Sequence, residues 1–120
     1  MNESLDINFH LSKFVRSFIS KNRADRWEDL LIRRPSGIFV KSSKLFDHLD
    51  FNYCSRSDAI NDIVEERTRG IYYDFFSEPV ITTFKEAIEK GDCRNALFSI
   101  RPGKLAVFFF HEGWNYVCRR

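Results

Sequence analysis

The chain has few of the residues from which recognisable reactive sites are built. Its three cysteines and three histidines do not occur at the spacing of a zinc site such as C-x-x-C or H-E-x-x-H. Its five glycines are dispersed, so it has no glycine-rich phosphate-binding loop. The lone histidines His10 and His48 are expected at the surface or edge of helices. We therefore predict no catalytic residues, no metal and no cofactor, and a protein that is not an enzyme.

Long apolar runs and an excess of one charge are also missing. No apolar run approaches the length that spans a bilayer, and the opening residues mix acids with apolar residues, unlike a signal peptide. The 19 basic and 17 acidic residues leave a net charge of +2, too small to predict nucleic-acid or membrane binding. Cys54, Cys93 and Cys118 are odd in number and far apart, which favours reduced thiols. We expect a cytoplasmic protein without a membrane partner.

What is present is the composition of one globular domain. The 120 residues are 43% hydrophobic and 30% charged, which argues against long disordered segments. A chain of this size buries roughly two thirds of the surface that its unfolded form exposes. We predict a single domain over residues 1–120.

The N-terminal two thirds of the chain is mostly helical by pattern. Apolar residues recur every three or four positions in four longer segments, as in amphipathic helices. With the turn and capping residues that bound them, these segments are residues 7–22, 25–34, 57–70 and 77–91. Asp25 is the expected N-cap of the second helix, and Gly70 is expected to end the third. Short strands are predicted at 37–40 and 71–76, and a short helix followed by a loop at 42–57.

The last thirty residues change to the alternating pattern of strands. Three strands are predicted at 96–101, 104–111 and 114–119, joined by tight turns at Pro102-Gly103 and Glu112-Gly113. Short connections make neighbouring strands antiparallel. The middle strand is apolar on both faces and is therefore expected at the centre of a sheet. Together these patterns predict an α+β fold, with about four helices packed on a small antiparallel sheet that has a C-terminal three-stranded meander.

Acidic residues are concentrated in the middle of the chain. Between Asp47 and Glu66 the charged residues are six acids and a single base, Arg56, whereas basic residues are frequent before Asp47. Such a segment could dock a basic protein, with aromatic residues as anchors and carboxylates that pair with Lys or Arg. A solvated acidic helix face explains the same pattern. The predicted partner-binding residues are Asp47, Asp50, Phe51, Tyr53, Asp58, Asp62, Glu65 and Glu66.

A second interpretation concerns the C-terminal strands. Single-stranded nucleic acid is held by aromatic side chains that stack on bases beside Lys and Arg, often on an antiparallel sheet. The sequence lacks the ribonucleoprotein motif, and residues 108–110 are explained as core. The alternative function is RNA or single-stranded nucleic-acid binding. Its candidate residues are Arg101, Lys104, Trp114, Tyr116, Arg119 and Arg120.

With these features the chain resembles the small single-domain immunity proteins of bacterial polymorphic and contact-dependent toxin systems. The resemblance rests on length, cytosolic character, helices on a small antiparallel sheet, the missing catalytic constellation and the acidic-aromatic stretch. It implies a protein that binds a cognate toxin domain, often a nuclease, and occludes its active or substrate-binding surface. The net charge of +2 departs from the strongly acidic character frequent in nuclease inhibitors. The partner's identity and the oligomeric state are not predicted.

Overall fold

The computed structural model describes residues 6–120, and within them the chain forms four α-helices and one six-stranded sheet. The helices are α1 Ile7–Phe18, α2 Lys21–Arg33, α3 Ser42–Asp47 and α4 Phe84–Gly91. The strands are β1 Cys54–Arg56, β2 Arg69–Tyr73, β3 Val80–Thr83, β4 Ala96–Arg101, β5 Leu105–Phe109 and β6 Asn115–Arg119. Short 3₁₀ helices lie at Ile38–Lys41 and Ile60–Asp62. The predicted α+β class is confirmed.

The sheet is antiparallel throughout, with the strand order β1-β6-β5-β4-β2-β3. The predicted meander is confirmed as β4, β5 and β6, and every residue of β5 is buried. β6 is not an edge, because β1 pairs along it with Cys54 opposite Cys118. The edges of the sheet are the short strands β1 and β3.

The sheet is covered on both faces, which gives the domain two hydrophobic cores. On one face, Leu11 and Phe14 of α1, Leu31 of α2 and Leu45 of α3 pack with Phe108 of β5. On the other face, α4 and the segment around the Ile60–Asp62 turn meet the alternate residues of β5. The second core includes Ile60, Val64, Phe84, Ala87, Val107 and Phe109. β5 contributes to both cores because its successive side chains point to opposite faces.

The first predicted helix is divided in two. α1 ends at Phe18, Ile19 is extended, and α2 begins at Lys21, so Asp25 lies inside α2 and is not its N-cap. Two backbone hydrogen bonds explain the break: Ser20 N donates to His48 O over 2.8 Å, and Asp50 N donates to Phe18 O over 2.7 Å. Ile19 and Ser20 are thus held as a short extended segment against residues 48–50, which an uninterrupted helix would not allow.

Two further predictions of local structure are wrong. The expected strand at 37–40 is a 3₁₀ helix, which starts after Gly37 in the left-handed conformation. The expected helix at 57–70 is only the turn at Ile60–Asp62, with Gly70 inside β2. A Cβ at position 70 would lie 2.5 Å from the carbonyl oxygen of Ser99 on β4. Gly70 therefore allows two strands to approach each other and does not end a helix.

The predicted helix at 77–91 is partly wrong. Residues Val80–Thr83 form β3, and α4 begins only at Phe84, with the Thr83 hydroxyl accepting from Glu86 N. The four residues of β3 are all β-branched, a composition that favours strands. The expected strand at 71–76 is confirmed in position but spans Arg69–Tyr73. In the segment 42–57 the expected short helix is α3, and the expected loop after it contains the unpredicted strand β1.

Candidate functional site

The eight predicted partner-binding residues do not form one compact group. Asp47, Asp50 and Phe51 follow Leu45 of α3, on the face of the sheet that is covered by α1 to α3. Residues 58–66 lie on the other face, where Ile60 and Val64 pack with α4. β1 connects the two groups. At the far end of the second group, Glu66 O accepts from Lys85 N over 3.0 Å, so Glu65 and Glu66 lie near β3 and the start of α4 and not near the edge formed by β1.

An aromatic cluster supports the α3 side of this edge. We define it as Phe46, Phe51, Phe110, Trp114 and Tyr116. The ring centroid of Phe46 lies 4.1 Å from that of Phe110 and 5.0 Å from that of Tyr116, and Phe51 lies 6.1 Å from Tyr116. Phe51 remains 53% exposed. Phe46 and Phe110 were missed as site residues because their contacts depend on tertiary packing between α3 and the meander.

Arginine side chains cover two of the exposed aromatic rings. The guanidinium carbon of Arg120 lies 3.8 Å from the ring centroid of Tyr53, and that of Arg56 lies 4.5 Å from the ring of Trp114. Arg120 is also held by a hydrogen bond from its Nε to the carbonyl oxygen of Ser17 over 3.0 Å. Residues of the two predicted sites thus meet on one surface: Tyr53 with Arg120, and Phe51 with Tyr116.

The predicted nucleic-acid residues are not gathered at one end of the sheet. Arg101 and Lys104 flank the β4–β5 turn, and Lys104 O accepts from Arg120 N over 3.0 Å. Trp114 lies at the β5–β6 turn, which is at the opposite end of these antiparallel strands. The basic residues and Trp114 are therefore separated by the length of β5.

Most of the predicted acidic residues have no cation beside them. Asp58 pairs with Arg56 over 3.6 Å, and Asp50 accepts a hydrogen bond from Asn52 N. The other four carboxylates are exposed and form no ion pair with any of residues 6–120; they are Asp47, Asp62, Glu65 and Glu66. With Phe51 and Tyr53, these four carboxylates are the candidate docking residues; we call this set the edge surface, and it extends from β1 across the face covered by α4 to Glu65 and Glu66 near β3. Its carboxylates are free to pair with cations of another molecule.

An ion pair that the sequence did not reveal joins a buried carboxylate after β2 to the half-exposed Arg94. Asp74 is 9% exposed and binds Arg94 Nη1 over 3.0 Å, and its Oδ1 accepts from the backbone N of Phe76 and Ser77. It borders a cavity of about 240 Å³ that Tyr72 also lines. Burial raises the pKa of Tyr72, with the charge of Asp74 adding to the shift. Asp74 therefore orders the loop between β2 and β3.

The prediction of a surface or edge position fits His48 but is wrong for His10. His10 of α1 is fully buried, and its Nδ1 lies 2.7 Å from the Ser99 hydroxyl on β4. His48 is half-buried and accepts a hydrogen bond from Trp27 Nε1 over 2.9 Å. Burial lowers the pKa of His10, although the charge of Asp6 opposes the shift. The spacing of apolar residues predicts that Leu11 and Phe14 are buried, but it does not indicate that the polar residue His10 is buried beside them.

Neither a metal centre nor a membrane span is found where the structure is described. Over residues 6–120, no group of three or more His, Cys, Asp or Glu side chains could hold a metal ion. In the same residues, no helix has both the length and the apolar character needed to cross a bilayer. Comparison with known proteins finds no matching family model, no matching curated protein and no matching solved structure.

Proposed function

We propose that the chain is an immunity-type protein that binds a cognate toxin domain in the cytoplasm and neutralises it by occlusion. The observation that carries this proposal is the edge surface itself. It combines four exposed carboxylates without internal partners with an aromatic side chain, Phe51, that is 53% exposed. If a toxin binds its substrate through basic residues, these carboxylates would pair with those residues and cover the substrate-binding surface.

The edge surface has the physical requirements of a docking site. Phe51 rests against Tyr116 and Phe46, whose rings hold it in place, so little side-chain entropy is lost when it enters a pocket of the partner. The carboxylates of the edge surface attract a basic partner over a distance and speed association. Since they extend from the β1 edge to the start of α4, they can engage cations at well-separated points of a toxin's surface.

Two features argue against nucleic acid as the ligand of this surface. The guanidinium groups of Arg56 and Arg120 already lie on the rings of Trp114 and Tyr53, on faces that a base would need for stacking. The nearby unpaired carboxylates would repel phosphates. Single-stranded nucleic acid remains the alternative ligand, to be distinguished by experiment.

The test is affinity capture by the tagged chain from cells that encode it. We expect one stoichiometric protein partner whose toxicity on expression is suppressed by the chain. Asp62→Lys with Glu66→Lys should slow association and weaken binding, because two attractive charges become repulsive. Phe51→Ala should raise the dissociation rate.

A charge-matched control separates the edge surface from net charge. Asp29→Lys with Glu89→Lys makes the same change in charge on exposed residues of α2 and α4. We expect this variant to bind like the parent. If the Asp62/Glu66 variant also bound like the parent, the edge surface would not be the docking site. If the captured material absorbed at 260 nm and was lost at high salt, the nucleic-acid alternative would replace the proposal.

A further inference from the structure

Cys54 and Cys118 lie directly opposite each other on the neighbouring strands β1 and β6. The hydrogen bonds on either side fix the type of pair. Arg119 N donates to Tyr53 O and Ser57 N donates to Asn115 O, which makes Cys54 and Cys118 a non-hydrogen-bonded pair. The Cα atoms of such pairs are about 4.5 Å apart, which lies within the range of about 4.4–6.8 Å that disulfides span.

The two thiols also share one environment. Both belong to the core beneath α1 to α3, where Cys54 is 2% and Cys118 is 0% exposed. The Cys54 thiol donates to the carbonyl oxygen of Phe18 over 3.9 Å. Burial raises the pKa of the Cys118 thiol, and its interaction with the Cys54 thiol raises that pKa further. The third cysteine, Cys93, is exposed in the loop between α4 and β4.

We propose that Cys54 and Cys118 form a modification site, a dithiol that a small disulfide such as oxidised glutathione converts into an intramolecular cross-link between β1 and β6. One protein thiolate attacks oxidised glutathione, which gives a mixed disulfide and releases one glutathione thiolate. The second protein thiol loses its proton and attacks the protein sulfur of the mixed disulfide, which closes the cross-link and releases the second glutathione. The protein loses two electrons and two protons, and oxidised glutathione takes up both.

Access to the buried thiols requires β1 to open. β1 has three residues and is paired on one side only, so it can detach without unfolding of the central strands. Opening exposes Cys54 to the oxidant, and reclosing returns it to Cys118. The cross-link then holds β1 closed and joins two distant parts of the chain. It therefore reduces the entropy of the unfolded state and raises the midpoint of thermal unfolding by about 10 °C.

The test uses the full chain with Cys93→Ser, equilibrated at a series of ratios of oxidised to reduced glutathione. Free thiols are alkylated under denaturing conditions, and the cross-linked peptides are identified by mass spectrometry. We expect a monomeric product with Cys54 linked to Cys118, a raised unfolding midpoint, and reversal of both by dithiothreitol. Adding Cys118→Ala, or Cys54→Ala should that variant fail to fold, should abolish both effects.

Three results would overturn the proposal. One is that both thiols of the folded protein remain alkylatable at every ratio. Another is that Cys54 stops at the mixed disulfide with glutathione. The last is a cross-linked product that unfolds at a lower temperature than the reduced protein, which would show that the folded sheet does not accommodate the bond. The inference does not rest on the proposed function, because no binding partner enters the measurement.

Discussion

Phe109→Ala tests the assignment of β5 as the strand on which the second core depends. Phe109 is 3% exposed and packs in the core that α4 covers. Burial of a Phe side chain contributes about 1.5–3 kcal/mol, and truncation adds the cost of the cavity that remains. We therefore expect the free energy of unfolding to fall by about 3–5 kcal/mol, and the unfolding midpoint to fall by about 10–20 °C.

The assay is urea unfolding followed by far-ultraviolet circular dichroism, with Val80→Ala as the control. Val80 lies on the edge strand β3 and is exposed, so its truncation should cost less than about 1 kcal/mol. If Phe109→Ala cost no more than Val80→Ala, the reasoning from burial on both faces of β5 would be refuted.

A second substitution shows whether the Phe109 ring contacts α4 as described. A Cβ at Gly91, the last residue of α4, would lie 3.0 Å from Cδ2 of Phe109. In the parent, Gly91→Ala therefore crowds the ring. In the Phe109→Ala background the new methyl group enters the cavity, and only the helix preference of Ala over Gly, about 0.5–1 kcal/mol, remains. Equal effects of Gly91→Ala in the two backgrounds would contradict this contact.

Two further predictions concern His10 and Gly70. Burial lowers the pKa of His10 in the folded chain, so the unfolded chain binds a proton more readily. The contribution of neutral His10 to the free energy of unfolding should therefore be fully present above about pH 6.5. It should be lost as the pH falls through the pKa of His10 in the folded chain. The measurement is the unfolding midpoint as a function of pH. His10→Gln should reduce the slope of this profile below about pH 6.5. An unchanged slope would mean that other groups cause the pH dependence. Gly70→Ala should cost about 3 kcal/mol in urea unfolding, because its Cβ would meet the backbone oxygen of Ser99 at 2.5 Å. As a control, Gly113→Ala should cost only about 1–2 kcal/mol, because no atom lies within 4 Å of the added Cβ and only the positive φ is strained. Equal losses of stability in the two variants would contradict the close approach of β2 and β4.

The meander could be predicted because its information is local. Alternation of apolar residues defines each strand, and Pro102-Gly103 and Glu112-Gly113 mark the turns between them. The apolar residues on both faces of β5 were enough to place it inside the sheet. None of these inferences required knowledge of a residue distant in sequence.

The edge strands could not be predicted, because three or four residues carry no reliable period. β1 is defined by its pairing with β6, and β3 by its pairing with β2. Ile60 and Val64 are spaced by four, which fits a helix face but also a single turn that covers a sheet. The composition of the candidate site was predictable, but its arrangement was not. The contact of Arg120 with Tyr53 exists only because β1 lies beside β6.

The strand order has a consequence for how the protein is made. During synthesis α1, α2 and α3 leave the ribosome before any strand of the meander, although they cover the sheet that the meander forms. Until β4 and β5 emerge, side chains such as Leu11, Phe14 and Leu31 have no partner surface. The nascent chain therefore carries helices with incompletely covered apolar faces until the meander is made, and this exposure to aggregation ends only when β6 closes against β1.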